Sequence, residues 1–339
     1  MKTTQTRVLE ASFPGRVRCV EAALDVATAP LAAGSNAVCL FVNDDGGADV
    51  VNALADQGVR FIAMRCAGFD RIDLDACAAR GIAVARVPAY SPYAVAEHAI
   101  ALMLALNRQL IKSNARVLQG NYSLSGLVGF DMHGKTVGVV GTGKIGRCVA
   151  APLIGMGCKV LAYDLYPSDE AIAMGVEYVD TIEELLPLCH IVTLHCPLNE
   201  STTHLMDERR LRLMRPGSML VNTSRGALVD SAALAKALDE RVIACVGMDV
   251  YEKEAGVFFK DSSEKTDDVS GSSVGADWDF ELASLASRPN VLVTGHQAFL
   301  TAEALENIAT TTVENLLEFE SGVKRGEGGA YLNGVGLGH

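Results

Sequence analysis

Residues 136–164 read TVGVVGTGKIGRCVAAPLIGMGCKVLAYD, and few folds accommodate that order of features. A β-branched strand pattern runs into Gly141, Thr142, Gly143, Lys144, Ile145 and Gly146; a helical pattern follows, and a second strand pattern closes on Asp164. Gly141 permits a tight turn and Gly143 lets backbone approach a pyrophosphate. Gly146 allows close packing of the helix, whose N-terminus favours negative charge. GxGxxG alone is a weak signal. Here it has the strand before it, the helix after it and an acid about 20 residues on, which makes it specific. A carboxylate at Asp164 accepts hydrogen bonds from a ribose diol and repels a 2′-phosphate, and Leu165 and Tyr166 offer no cation to rescue one. The unit therefore predicts a dinucleotide site of the NAD type rather than the NADP type, with Lys144 and Ile145 completing the cofactor-binding turn.

The same alternation runs through most of the chain. Strand-like stretches recur at 37–42, 59–64, 82–87, 159–164, 190–196, 218–224, 242–250 and 290–295, with helical patterns between them. That rhythm argues an α/β protein of parallel sheets with crossover helices. At 339 residues, 49% hydrophobic and 21% charged, the chain is long enough for two domains. Two stretches break the pattern. Residues 91–106 are apolar nearly all round, so they read as a helix covered on every side, at a domain crossing or a subunit interface. Residues 260–279, rich in Ser, Asp and Gly, read as a mobile surface loop in which Trp278 packs.

The formal net charge of −12 argues against nucleic acid and against anionic membranes, both of which demand a basic footprint. The longest apolar stretch, 94–106, is interrupted by His98 and is too short to span a bilayer, and MKTTQTRVLE has no apolar signal core. Nine cysteines are scattered without CxxC or metal-ligand spacing, so they read as small buried residues of a reducing compartment.

Several polar residues follow directly on strand-like runs, the sheet edge where open α/β proteins bind ligands. They are Arg225, Asp249 with Glu254, and His296. Arginine offers a rigid two-pronged donor for a carboxylate. A carboxylate beside His296 would favour its imidazolium form, suited to exchanging a proton with a carbonyl or hydroxyl. Spacing leaves open whether these side chains converge. His195 also ends a strand-like run and is the rival acid/base. His98 reads as a satisfied buried residue, and His133, His190 and His204 show no ligand spacing.

RCAGFDRIDL, VPAYSPYAVAEHAIALMLALNR, DMHGKTVGVVGTGKIG, HCPL, NTSRGALVD, GMDVYEKE and GHQAF occur in that order across roughly residues 35–320. In this the chain resembles the D-isomer-specific 2-hydroxyacid dehydrogenases, and among them the lactate-type, fermentative members. The resemblance implies Arg225, Glu254 and His296 as catalytic residues. It implies a backbone turn at Ala67 and Gly68 that holds the substrate carboxylate, with Tyr90 and Phe299 lining the substrate's small end. It assigns Asp164, Cys196, Pro197, Thr223 and Asp249, with the glycine turn, to the cofactor. The implied reaction is NADH-dependent reduction of pyruvate to D-lactate, with His296 as the acid/base and no metal. A bulkier 2-oxo acid, phenylpyruvate or branched-chain, is the alternative substrate. An NAD-sensing corepressor is the alternative of a different class, because fold alone does not fix function.

The implied architecture is two doubly wound, Rossmann-like or flavodoxin-like parallel-sheet domains. Residues 1–90 and 296–339 form a discontinuous substrate domain, and residues 91–295 form the NAD-binding Rossmann domain. The covered 91–106 helix suggests a homodimer, and the partner is otherwise a small-molecule 2-oxo or 2-hydroxy acid. The first βα unit looks abbreviated. The expected location is cytoplasmic, or the stroma or matrix of an organelle if a targeting segment has been trimmed.

Overall fold

The computed structural model describes residues 4–254, 257–259, 279–323, 325–326 and 331–335. The chain divides into two compact units: Met1–Ser91 with Phe299–His339, and Pro92–Ala298. The second boundary falls a few residues beyond the expected one, so His296 belongs to the second unit. The cause is local. The backbone N–H groups of His296, Gln297 and Ala298 all donate to Asp249 of that unit.

In the first unit β1 (Ala37–Leu40), β2 (Phe61–Met64) and β3 (Ala83–Ala85) form a parallel sheet in that order. Period-two alternation sends Ile62 and Met64 to one face, where they pack with Val50, Val51 and Leu54 of the helix Ala48–Asp56. Phe61 and Ala63 face the other side, against the helix Ala302–Ser321. There Phe61 stacks on Phe319 with centroids 4.6 Å apart and tilts against Tyr331 at 5.3 Å. Such pairs contribute roughly 0.5–1.5 kcal/mol each beyond their buried area. No strand precedes Ala37 among the described residues; a helix, Thr4–Ser12, packs against Ala302–Ser321 instead.

The second unit holds seven parallel strands: β4 (Thr136–Val140), β5 (Lys159–Tyr163), β6 (Glu177–Tyr178), β7 (Ile191–Leu194), β8 (Met219–Asn222), β9 (Cys245–Met248) and β10 (Val291–Val293). Their order is β10-β9-β8-β7-β4-β5-β6. The chain leaves β4 toward β5 and β6, then returns past it to β7. β4 and β7 therefore flank the switch point of a doubly wound sheet, where ligands bind beyond the carboxyl ends. Both faces are covered. Val137, Val139, Met219 and Val221 pack with the helices Pro92–Asn107 and Lys144–Gly155. Val192, Leu194, Leu220 and Val246 pack with the helices Ser231–Asp239 and Phe280–Ala286. Only β6 lies outside the strand-like runs of the sequence, because two residues carry no periodic signal.

The 91–106 expectation is revised in one respect. The helix is Pro92–Asn107, and most of its cover comes from its own unit: it packs on Lys144–Gly155 and on β8 and β9. The loop expected at 260–279, with Trp278, lies outside the described residues except for Asp279, which caps the helix that follows. Among the described residues no helix is long and apolar enough to cross a membrane.

Candidate active site

At the carboxyl end of β4, Gly141 has φ 93°, a left-handed conformation that side chains rarely adopt. A Cβ there would also meet the His195 carbonyl carbon and the Cys196 nitrogen, each at 2.7 Å, so the turn lies directly against the end of β7. A Cβ on Gly146 would come within 2.0 Å of the Gly141 oxygen, which is how closely the helix Lys144–Gly155 seats on the strand. At Gly143 a Cβ would meet nothing within 4 Å, so the space a pyrophosphate needs is open above the helix N-terminus. Asp164 faces this turn. Its Oδ2 accepts from the Thr142 N–H at 2.6 Å and the Thr142 hydroxyl at 3.0 Å, and its Oδ1 accepts from the Tyr166 N–H at 2.9 Å. Tyr178 of β6, absent from the expected site, donates its hydroxyl to Thr142 Oγ1 at 2.7 Å and so steadies the turn. Cys196 and Pro197 follow β7, and the Cys196 carbonyl accepts from Ser224 Oγ at 2.7 Å. Thr223, beyond β8, is buried, and its hydroxyl has no partner among the described residues. Open space at Gly143, the cradle around Gly141 and the orphaned Thr223 hydroxyl all suit a dinucleotide.

The three adjacent strands β8, β9 and β10 end in the remaining polar residues of this unit. Arg225 follows β8, Asp249 and Glu254 follow β9, and His296 follows β10. Parallel neighbours present their carboxyl ends at one edge, so four residues far apart in sequence are gathered there. His296 Nδ1 lies 3.0 Å from Glu254 Oε1, and both side chains are largely enclosed, at 15% and 13% exposure. Glu254 Oε2 also accepts from the Tyr251 N–H at 3.3 Å. The Phe259 ring stands 5.8 Å from the imidazole. The loop bearing Arg225 is braced by Asn222, whose Nδ2 donates to the Arg225 carbonyl at 2.8 Å and whose Oδ1 accepts from the Ser224 N–H at 3.0 Å. Gly226 then passes so close to Tyr251 that a Cβ would fall 2.0 Å from that residue's carbonyl carbon, which locks the two loops together.

Asp249 is fully buried, and its carboxylate holds the loop that carries His296. It accepts from the Thr294 hydroxyl at 2.5 Å, the Gln297 N–H at 2.9 Å and the Ala298 N–H at 2.8 Å. His98, on the helix Pro92–Asn107, joins this cluster with Nε2 3.0 Å from Thr294 Oγ1 and 3.4 Å from Asp249 Oδ1. Asp249 thus serves the His296 loop, and with none of its surface open it reaches a cofactor only through neighbours. Sequence spacing carried no sign of the Thr294 and His98 bonds, because 45 and 196 residues separate the partners.

The surroundings of His195 disfavour the imidazolium form. Burial desolvates its imidazole and pushes the pKa down to about 3, which keeps the ring neutral at pH 7. Its Nε2 lies 2.8 Å from Thr193 Oγ1, a structural pairing. Burial likewise raises the Cys196 thiol to about 11, which leaves little thiolate to act as a nucleophile.

In the first unit Ala67 and Gly68 lie in the loop after β2. Tyr90 and Phe299 meet edge to face with centroids 6.2 Å apart, and Phe41, beyond β1, packs on Phe299 at 5.6 Å. Phe41 completes an aromatic cluster that the sequence did not single out; its only sign was its place just past a strand.

Residues 100–298 match the family model described as D-isomer specific 2-hydroxyacid dehydrogenase, NAD binding domain. The chain is 49% identical over 297 residues to the D-lactate dehydrogenase of Escherichia coli K12, covering 87% of this chain and 86% of that protein. It is similar to the solved pyruvate reductase of Chlamydomonas reinhardtii, with 53% identity, a TM-score of 0.81 and coverage of 88% and 87% of the two chains. It is also similar to the D-lactate dehydrogenase of Aquifex aeolicus solved with NAD and lactic acid, with 33% identity, a TM-score of 0.76 and coverage of 87% and 85%. The glycine turn with its acid, the paired His296 and Glu254, and identity of this extent over most of the chain have one reading: the protein belongs to the D-isomer-specific 2-hydroxyacid dehydrogenase family.

Proposed function

We propose that the protein is an NAD-dependent D-lactate dehydrogenase that reduces pyruvate to D-lactate. The observation that carries this reading is the 3.0 Å pairing of His296 with Glu254, with Arg225 at the carboxyl end of the neighbouring strand β8, at the edge of a sheet whose switch point carries the glycine turn. Bound NADH supplies the hydride that C2 of the 2-oxo acid receives. Gly141, Gly143, Lys144, Ile145 and Gly146 hold its pyrophosphate, Asp164 its ribose diol, and Cys196, Pro197 and Thr223 the end nearer the chemistry. Glu254 keeps the imidazole oriented, and His296 delivers a proton to the oxygen that gains charge as the carbonyl is reduced. Arg225 pairs with the substrate carboxylate and polarises the ketone, positive charge placed before it is needed. In the first unit the Ala67 and Gly68 turn offers a backbone donor to a carboxylate, and Tyr90, Phe299 and Phe41 make a wall suited to a methyl-sized side chain.

The relatives named D-lactate dehydrogenase and pyruvate reductase support pyruvate over a larger acid. A panel of pyruvate, hydroxypyruvate, phenylpyruvate and a branched 2-oxo acid tests this, with the best repeated on NADPH. Pyruvate with NADH should give the highest kcat/KM, and preference for phenylpyruvate would move the reading to a bulkier substrate.

A homodimer is part of the same reading, and its support is the apolar surface on and after the Pro92–Asn107 helix. The helix Leu110–Leu118 has no buried residue, and Leu110, Ile111, Leu118, Tyr122, Leu124 and Val128 are all more than half exposed. A groove of about 750 Å³ lined by Tyr93, Ala96, Ile100, Leu104, Cys148 and Met174 lies in the same unit. So much exposed apolar surface is typical of an interface. Light scattering should give twice the chain mass; the mass of one chain would contradict the dimer. The scattered cysteines, none of which forms a disulfide, fit a reducing compartment such as the cytoplasm.

A further inference from the structure

The turn that this reading gives to the substrate carboxylate is held from behind by a side chain that has no part in it so far. Arg86 follows β3 directly, and its backbone is pinned on both sides. Its N–H donates to the Asn333 carbonyl at 3.0 Å, and its own carbonyl accepts from Asn315 Nδ2 at 3.0 Å. From that anchor the guanidinium donates through Nη1 to the Ala67 carbonyl at 2.7 Å and lies over the Phe69 ring, 5.0 Å from its centroid. The start of the turn is tied down as well, since the Val87 N–H donates to the Cys66 carbonyl at 3.1 Å.

The Ala67 carbonyl and the Gly68 N–H belong to one peptide group. That group is planar and trans, so the two bonds point in opposite directions. A cation that fixes the carbonyl on one side fixes the N–H on the other. It also draws electron density toward the carbonyl oxygen, which makes the N–H a stronger donor. The planar guanidinium stacked on Phe69 resists rotation in a way that a lone ammonium would not.

We propose that Arg86 is a positioning residue for substrate binding: by holding the Ala67 carbonyl and the Phe69 ring it aims the Gly68 N–H at the carboxylate of the 2-oxo acid. The proposal rests on the dehydrogenase reading and adds to it a second arginine, one that acts through the backbone. The cost of releasing the peptide should fall on substrate binding, because the dinucleotide cradle is built in the other unit from other residues.

The test uses Arg86→Met and Arg86→Lys in the full chain, with KM and kcat for pyruvate, NADH affinity by fluorescence, and thermal unfolding. For Arg86→Met, KM for pyruvate should rise about tenfold to a hundredfold, the range expected when a binding group is displaced by about an ångström. Arg86→Lys keeps one donor and should lie between Arg86→Met and the unchanged protein. NADH affinity should stay as in the unchanged protein for both. Should Arg86→Met fail to fold, Phe69→Leu removes only the ring beneath the guanidinium and should raise KM several-fold with Tm preserved. A KM within twofold of the unchanged protein in every folded variant would overturn the proposal. So would NADH affinity that falls in step with pyruvate affinity, the mark of a merely structural role. An unchanged protein that reduces no 2-oxo acid at all would overturn the dehydrogenase reading and the proposal with it.

Discussion

His296 carries a left-handed backbone, φ 54°, which costs a non-glycine residue roughly 1–2 kcal/mol. The neighbouring bonds hold it there: its N–H donates to the Asp249 carbonyl at 2.7 Å while the Asp249 carboxylate takes the next two N–H groups. The strain turns the imidazole back toward Glu254. A second His–Glu pair uses Glu252, two residues before Glu254. His204 Nε2 is 2.5 Å from Glu252 Oε1, and Glu252 also accepts from the Ser231 N–H at 3.3 Å. The bond from Glu252 raises the His204 pKa. Burial alone would raise Glu252, but the bonds from His204 and Ser231 outweigh it and lower that pKa. The signs define a window. The raised histidine contributes stability in full below its unfolded pKa of about 6.5 and loses it as pH climbs through the folded value. The lowered carboxylate contributes above about 4.3 and loses it as pH falls. Glu252→Gln should therefore lower Tm most between about pH 4.5 and 6.5, and by less as pH climbs above that range. Unfolding curves across that range check it, and a Tm difference that does not vary with pH would contradict the pairing.

At the scale of elements, the function depends on how closely a helix can approach a strand. Gly146→Ala would place a methyl group against the Gly141 carbonyl, 2.0 Å away, and so push Lys144–Gly155 off β4. Overpacking of this kind costs about 1–3 kcal/mol, and the same displacement opens the pyrophosphate turn. NADH affinity should fall at least tenfold while the first unit is untouched; a variant that binds NADH normally would remove Gly146 from the cradle. This element was legible in sequence because strand, glycines, helix and acid are contiguous. So were most strands, whose β-branched runs are bounded by glycine and proline. The two-residue β6 was not, and neither were the bonds from Tyr178 to Thr142 and from His98 to Thr294, which join residues far apart along the chain. His296 and Glu254 could be named from sequence, but their contact follows only from β9 and β10 lying side by side, a consequence of strand order. Phe41 and Arg86 act through packing and backbone orientation, which no residue pattern announces.

At the scale of the whole molecule, the second unit holds the glycine turn with Arg225, Glu254 and His296, and the first holds Ala67, Gly68 and the aromatic cluster of Phe41, Tyr90 and Phe299. The net charge of −12 is no obstacle to an anionic substrate, because a placed cation such as the Arg225 guanidinium would act over a few ångströms while the remote surface charge is screened by salt. In the proposed reaction His296, held by Glu254, delivers the proton when a 2-oxo acid is reduced. The measurement that meets it most directly compares NADH oxidation by the unchanged protein and by His296→Ala with pyruvate, with NADH affinity measured on both and the configuration of the lactate determined. The unchanged protein should yield D-lactate, and His296→Ala should bind NADH equally while its turnover falls about 10²–10⁴-fold. Turnover by His296→Ala at the unchanged rate, or L-lactate as the product, would contradict the proposed reaction.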